Sequence, residues 1–200
     1  VDSLLEEFFF AIQKFPEYIF IITKSNADQG GARINQLLDE AAQRIANLYV
    51  YDSLGVKRYL SLMKYSEAVV GNSSSGIIET PAFHIPTVNI GDRQKGRLRT
   101  NSIIDCGTDR TSIIKAIDKA VSHEFREQCK GIHPPYGDGH AAEKIAKKII
   151  ETVKYGKIDL KKKILRSVRA RIRGARYEKF GCWTWVNGKK AYSLNARYVS

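Results

Sequence analysis

Two hundred residues, 43% hydrophobic and 27% charged, suffice for one α/β domain with a real core, burying about 70% of its unfolded surface. No apolar run approaches the roughly 20 residues of a membrane-spanning helix and no signal-peptide pattern opens the chain, so no membrane contact and a cytoplasmic location are expected. Cys106, Cys129 and Cys182 are odd in number, far apart and without metal-ligand spacing, which points to reduced thiols and to no metal site.

The net charge of +12 is unevenly spread. Residues 1–156 carry 20 Lys and Arg against 19 Asp and Glu, whereas the 13 basic residues after Gly156 face only Asp159 and Glu178. A near-neutral domain ending near residue 160 therefore carries a basic tail over 161–200, and the charge says nothing about what the domain binds.

In chain order, Asp2 to Phe15 places Leu4, Leu5, Phe8, Ile12 and Phe15 at helical spacing. Tyr18 to Thr23 is a continuous apolar run, suited to a parallel strand buried on both faces. A helix over 32–46, a strand over 48–51 and a helix over 56–65 follow. Then come a strand at Ala68–Val70, a short helix over 75–83, and strands over 87–90 and 102–105. Helices over 111–121 and 139–153 complete the series, the second capped by Asp138. Strands alternating with helices predict a Rossmann-like, three-layer parallel sheet.

The stretch Glu67 to Arg97 carries the chemistry: E-A-V-V-G-N-S-S-S-G-I-I-E-T-P, then A-F-H-I-P-T-V-N-I-G-D-R-Q-K-G-R. A loop of Gly, Asn and three serines opening a helix at the end of a strand offers unpaired N–H groups, hydroxyl donors and the positive end of a helix dipole to an anion. Glu79 lies one turn on, where a carboxylate suits a ribose diol, and together the two features suggest a nucleoside diphosphate. The same S-S-S-G also reads as a plain N-cap cluster, and Glu79 as a solvated first-turn carboxylate.

G-N-S-S-S-G-I-I-E-T-P and I-P-T-V-N-I-G-D-R-Q-K-G-R resemble the hydrolysing UDP-N-acetylglucosamine 2-epimerases, enzymes of GT-B-like fold. The similarity runs through S-N-A-D-Q-G-G (Ser25 to Gly31), L-G-V-K-R-Y-L-S-L-M-K-Y (Leu54 to Tyr65) and P-P-Y-G-D-G-H-A (Pro134 to Ala141), and fades near Lys163. The resemblance implies that this is the C-terminal, nucleotide-binding half, with its first strand and the preceding domain absent. The sheet is then expected to lack one strand and to leave an unpaired edge.

The resemblance also assigns roles. Ser73 and Ser74 hold the diphosphate, Glu79 the ribose hydroxyls, and Arg93 the phosphate charge on departing UDP, with Arg97 a second, weaker candidate. Asn26 borders the nucleotide, and the main chain of Leu54 reads the uracil edge. The implied reaction converts UDP-N-acetylglucosamine and water to N-acetylmannosamine and UDP for sialic or related nonulosonic acid synthesis, with no cofactor. A bacillosamine-type UDP-sugar hydrolase has the same nucleotide motifs. No catalytic acid or base is assigned, because the family draws most of them from the absent part. His84, His123 and His133 read as structural or surface residues, and His140, in the Y-G-D-G-H turn, as a candidate contact. Homo-oligomers are implied for full-length members.

The tail departs from the family pattern. Trp183 to Ser193 reads as a hairpin around Asn187-Gly188. Arg166, Arg169, Arg173 and Arg176 at helical spacing keep an RNA-binding module open as a different class of function. The favoured reading is an appendage without selected function, dispensable for folding, so that nucleic acid is not an expected partner.

Overall fold

The computed structural model describes residues 2–25, 30–155 and 183–188. Helix α1 (Asp2–Ile12) leads to strand β1 (Tyr18–Thr23), α2 (Gly31–Arg44), β2 (Leu48–Tyr51), α3 (Gly55–Tyr65) and β3 (Ala68–Gly71). Then follow α4 (Ser75–Ile78), a 3-10 turn (Thr80–Phe83), β4 (Thr87–Ile90), β5 (Ile103–Cys106), α5 (Arg110–Val121), α6 (His123–Lys130), α7 (Ala141–Tyr155) and β6 (Trp183–Gly188).

Alternation along β1 shows why both faces of the sheet are covered. Phe20 and Ile22 enter a core with Leu5, Phe8 and Ile12 of α1, Ile34 and Leu38 of α2, and Ile113 and Ile117 of α5. Ile19 and Ile21 face the other way, towards Met63, Leu62 and Tyr59 of α3 and Phe83. Strand β3 splits in the same manner, with Ala68 and Val70 in the first core and Val69 in the second. Ion pairs brace the first face, Glu7 of α1 with Arg110 at the start of α5 and Asp2 with Arg33 of α2. Arg110 holds the Glu7 carboxyl down to about 2 by donating to it from both side chain and backbone.

Two helical elements differ from the sequence reading. The helix expected over 75–83 breaks at Glu79, because Pro81 has no N–H to continue an α-helical ladder, and the chain tightens into the 3-10 turn. Helix α6 was not predicted; its signal is Ser122, which accepts from Phe125 N, with Phe125 and Cys129 buried four apart.

The sheet order is β2-β1-β6-β3-β4-β5. Strands β1 and β2 are parallel, as are β3, β4 and β5, and β6 runs antiparallel to both β1 and β3. The expected gap and unpaired edge are therefore corrected. The slot between β1 and β3 is filled by residues from the stretch that the charge step assigns to an appendage. Val186 sits opposite both Phe20 and Ala68, and Asn187 and Gly188 pair with Ile19 and Tyr18 instead of turning a hairpin between them. The physical reason is the double row of N–H and C=O groups that β1 and β3 would otherwise leave without partners inside the sheet. The rest of the tail, including Arg166 to Arg176, lies outside the described residues.

Among the described residues, 2–25, 30–133 and 183–188 belong to one unit and 134–155 to a second. In the second, Asp138 accepts from the backbone N of His140 and from Lys144 Nζ, which sets the entrance to α7. Ile145, Ile149 and Val153 line one exposed face of that helix.

Deleting residues 178–200 removes β6 and opens both flanking strands. Net ladder bonds of about 0.5–1.5 kcal/mol each make the loss several kcal/mol, so thermal denaturation should show a melting temperature lower by about 10 °C or more. An unchanged melting temperature would return these residues to the status of a dispensable tail.

Candidate functional site

Parallel strands deliver their following loops to one edge of the sheet, and that edge collects the residues singled out from sequence. Leu54 follows β2 and forms the N-cap of α3, half-buried against the second core. The loop Asn72–Ser74 follows β3, and Gly91 to Arg97 follows β4. Asn26 follows β1 and lies outside the described residues.

The Asn72–Gly76 loop is held at both ends by its own carbonyl groups. At the front, the Asn72 carbonyl accepts Gln94 Nε2 at 2.6 Å and Arg93 Nη1 at 3.3 Å. Gly91, at φ 73°, makes the turn out of β4 that carries Arg93 and Gln94 back to this carbonyl, a backbone state that favours glycine. At the rear, the Gly76 carbonyl accepts the hydroxyls of Thr80 at 2.5 Å and Thr87 at 3.0 Å. Those hydroxyls lie 2.7 Å from each other, in full burial. The loop between the clamps is thereby fixed in shape before any ligand arrives.

The three serines then divide. Ser74 is the N-cap of α4 with φ −68° and ψ −23°, already helical, and its hydroxyl makes no capping bond. A helical N-cap cannot aim its side chain at the N–H two or three residues on, so the plain N-cap reading is not realised here. Ser75 is engaged: its hydroxyl donates to Glu79 Oε2, and the Tyr59 hydroxyl lies 2.5 Å from Ser75 Oγ. Burial pushes the Tyr59 phenol up to about 12. Ser73 and Ser74 are half-buried, and Glu79 is exposed.

Arg93 thus stands beside the serine loop, bonded to its first carbonyl, while Glu79 closes the one-turn helix α4 on the far side of Ser75. A cation and hydroxyl-bearing residues at one end of a fixed loop, with a carboxylate one turn on, suit a ligand with an anionic group and a nearby diol. Sequence reasoning missed Gln94, Thr80, Thr87 and Tyr59. Their only signal is polarity next to apolar runs, and their partners are 4 to 22 residues away. The buried side-chain oxygens of Asn72, Asn89 and Gln94 have no hydrogen-bond partner among the described residues.

The other candidates are spread elsewhere. Arg97 is exposed in the β4–β5 connection, its N–H donating to the Gln94 carbonyl at 3.3 Å. His84 closes the 3-10 turn at φ 58°, a structural position, and His123 lies 3.8 Å from Glu127 on α6. His140, in the second unit, has its ring 3.3 Å from Glu143. Cys106 and Cys129 are free thiols that burial pushes up to about 12 and about 11, which keeps them protonated and unreactive. Among the described residues no group of three or more His, Cys, Asp or Glu is arranged to hold a metal, and no helix is long and apolar enough to cross a membrane.

Comparison with known proteins gives this geometry a family. Residues 2–150 match the family described as UDP-N-acetylglucosamine 2-epimerase. The GDP/UDP-N,N'-diacetylbacillosamine 2-epimerase (hydrolyzing) of Campylobacter jejuni is 44% identical over 134 residues, 66% of this chain and 34% of that protein. The polysialic acid biosynthesis protein P7 of Escherichia coli is 35% identical over 137 residues, 68% of this chain and 35% of that protein. The chain thus spans about a third of the length of these relatives. Among solved structures, the UDP-GlcNAc 2-epimerase from Neisseria meningitidis bound to UDP-GlcNAc superposes with a TM-score of 0.60 at 16% identity, over 76% of this chain and 41% of that one. The S. aureus MnaA-UDP co-structure gives 0.59 at 17% identity, over 76% and 42%. These two show the fold, and the family match over three quarters of the chain, with the sequence relatives, supports one conclusion: the chain belongs to the UDP-N-acetylglucosamine 2-epimerase family.

Proposed function

We propose that this chain is the nucleotide-binding part of a hydrolysing UDP-N-acetylglucosamine 2-epimerase, which forms N-acetylmannosamine and UDP for sialic or related acid synthesis. The observation that carries the reading is the serine loop clamped through the Asn72 carbonyl by Arg93 and Gln94 at the C-terminal edge of the sheet. The N–H groups and hydroxyls of Ser73 and Ser74 donate to the diphosphate, each charge-assisted bond contributing on the order of 1.5–3 kcal/mol. Glu79 accepts the ribose hydroxyls, the main chain of Leu54 meets the uracil edge, and Asn26 adds a polar contact.

Elimination of UDP from C1 builds negative charge on the leaving diphosphate. The Arg93 guanidinium, already oriented by its bond to Asn72 O, stabilises that charge without having to reorganise. We place the reaction in the cytoplasm, where thiols such as Cys106 and Cys129 stay reduced. A diacetylbacillosamine nucleotide is the second reading of the substrate, favoured by the 44% identity to the Campylobacter jejuni enzyme. The nucleotide contacts are common to both sugars, so product analysis on each UDP-sugar separates the two readings.

Calorimetry on this chain should find UDP bound more tightly than uridine, with Ser74→Ala weakening UDP by roughly 1–2 kcal/mol. Equal affinity for UDP and uridine would sink the diphosphate assignment.

The 200 residues alone are expected to release neither UDP nor N-acetylmannosamine from UDP-N-acetylglucosamine above background, since they span about a third of the relatives' length. A chain extended to the relatives' full length should turn over, and Arg93→Ala should slow it tenfold or more. Turnover by the short chain would show that it holds the acid and base itself.

A further inference from the structure

We propose that Tyr59 is a positioning residue for nucleotide binding: acting through Ser75, it holds the Glu79 carboxylate in the one orientation that receives the ribose hydroxyls. The proposal rests on the reading of Glu79 as the ribose acceptor given above. Three groups stand in a row, Tyr59 Oη 2.5 Å from Ser75 Oγ, and Ser75 Oγ on Glu79 Oε2. The direction of the chain follows from what each group can do. A carboxylate only accepts, so the single Ser75 hydrogen is spent on Glu79, and Tyr59 must donate to Ser75. The phenol keeps its proton for this task at any working pH, because burial holds its titration near 12.

Glu79 needs such a tether. It is exposed, at the end of a helix only one turn long, and a free glutamate side chain gives up rotamer freedom when a ligand fixes it. A tether that removes this freedom in the unbound protein leaves less to lose on binding. Tyr59 makes a firm anchor, since it packs beside Met63, Ile21 and Val69 on the second face of the sheet. The tether does not use up the acceptor. Among the described residues Ser75 is the one hydrogen-bond donor to this carboxylate, which leaves Oε1 and lone pairs of Oε2 for the two hydroxyls of a cis diol. On that reading Ser73 and Ser74 take the anion, while the Ser75 hydroxyl is given to the Glu79 carboxylate.

The test titrates UDP and 2',3'-dideoxy-UDP into wild type, Tyr59→Phe, Ser75→Ala and Glu79→Ala by calorimetry. Tyr59→Phe is expected to weaken UDP about three- to tenfold and to leave the dideoxy ligand within twofold of wild type, with Ser75→Ala following the same pattern. Loss of affinity for both ligands alike would mark a structural role and overturn the proposal. So would full UDP affinity in Tyr59→Phe where Glu79→Ala is weakened. Full UDP affinity in Glu79→Ala would instead remove the ribose reading, and the proposal with it. Three-bond couplings of Glu79 supply a ligand-free measure: one χ1 rotamer in wild type and averaging in Tyr59→Phe support the tether. Averaging already present in wild type refutes it, whether or not UDP binds.

Discussion

Parallel pairing is the constraint on which the rest of this molecule depends. Strands β1 and β2, and separately β3, β4 and β5, run the same way, and β1 and β3 are parallel to each other because both oppose β6. Five strands therefore end at one edge, and every connection leaving them begins there. The loops carrying Leu54, Ser73, Ser74 and Arg93 follow strand ends on one edge of the sheet for this reason, since nothing in their separations of up to 39 residues places them there. The pairing in turn requires something between β1 and β3, whose inward backbone groups have no water to turn to. A strand of either direction satisfies a ladder, and an antiparallel one from the far end of the chain does so here.

The site loop illustrates how a fold fixes a conformation without lending it a regular structure. A loop that binds an anion must leave N–H groups unpaired, and unpaired groups invite rearrangement. Here the carbonyls on either side take up the bonding instead. Asn72 O is held by Gln94 and Arg93, and Gly76 O by Thr80 and Thr87, so the carbonyls on either side of the serines are both engaged. Buried, these bonds are stronger than in water, and losing one partner would leave a carbonyl with a desolvation cost of about 1–3 kcal/mol. Arg93 belongs to both functions, as a clamp on the loop and as the cation beside it.

Much of this was legible beforehand. The apolar run Tyr18 to Thr23 could only be a strand covered on two faces, and the alternation of Phe20 and Ile22 against Ile19 and Ile21 bears that out. The position of Ser73, Ser74 and Arg93 on loops at strand ends follows from local pattern, because a strand, its turn residues and the next helix lie within a dozen residues. The division of labour among the serines was not legible. Three identical side chains in a row differ only in where the backbone points them, and the partner that claims Ser75 sits 16 residues back on α3.

The sequence by itself determined the order and type of most of the elements before residue 156 and the motifs that mark the family, since each depends on neighbours within a few turns. Tertiary structure alone decided the two contacts that close the fold and shape the site. One is the seating of residues 183–188 between β1 and β3, more than 100 residues away in sequence. The sequence reads Trp183 to Ser193 as a hairpin and gives no sign of this seating, because the partners of an antiparallel strand are specified by the vacancy it fills. The other is the grip of Gln94 on Asn72, a bond between a side chain and a carbonyl 22 residues apart that exists only once β3 and β4 lie side by side. Local pattern reports what a segment prefers; which distant segment completes it depends on the geometry that the other strands impose.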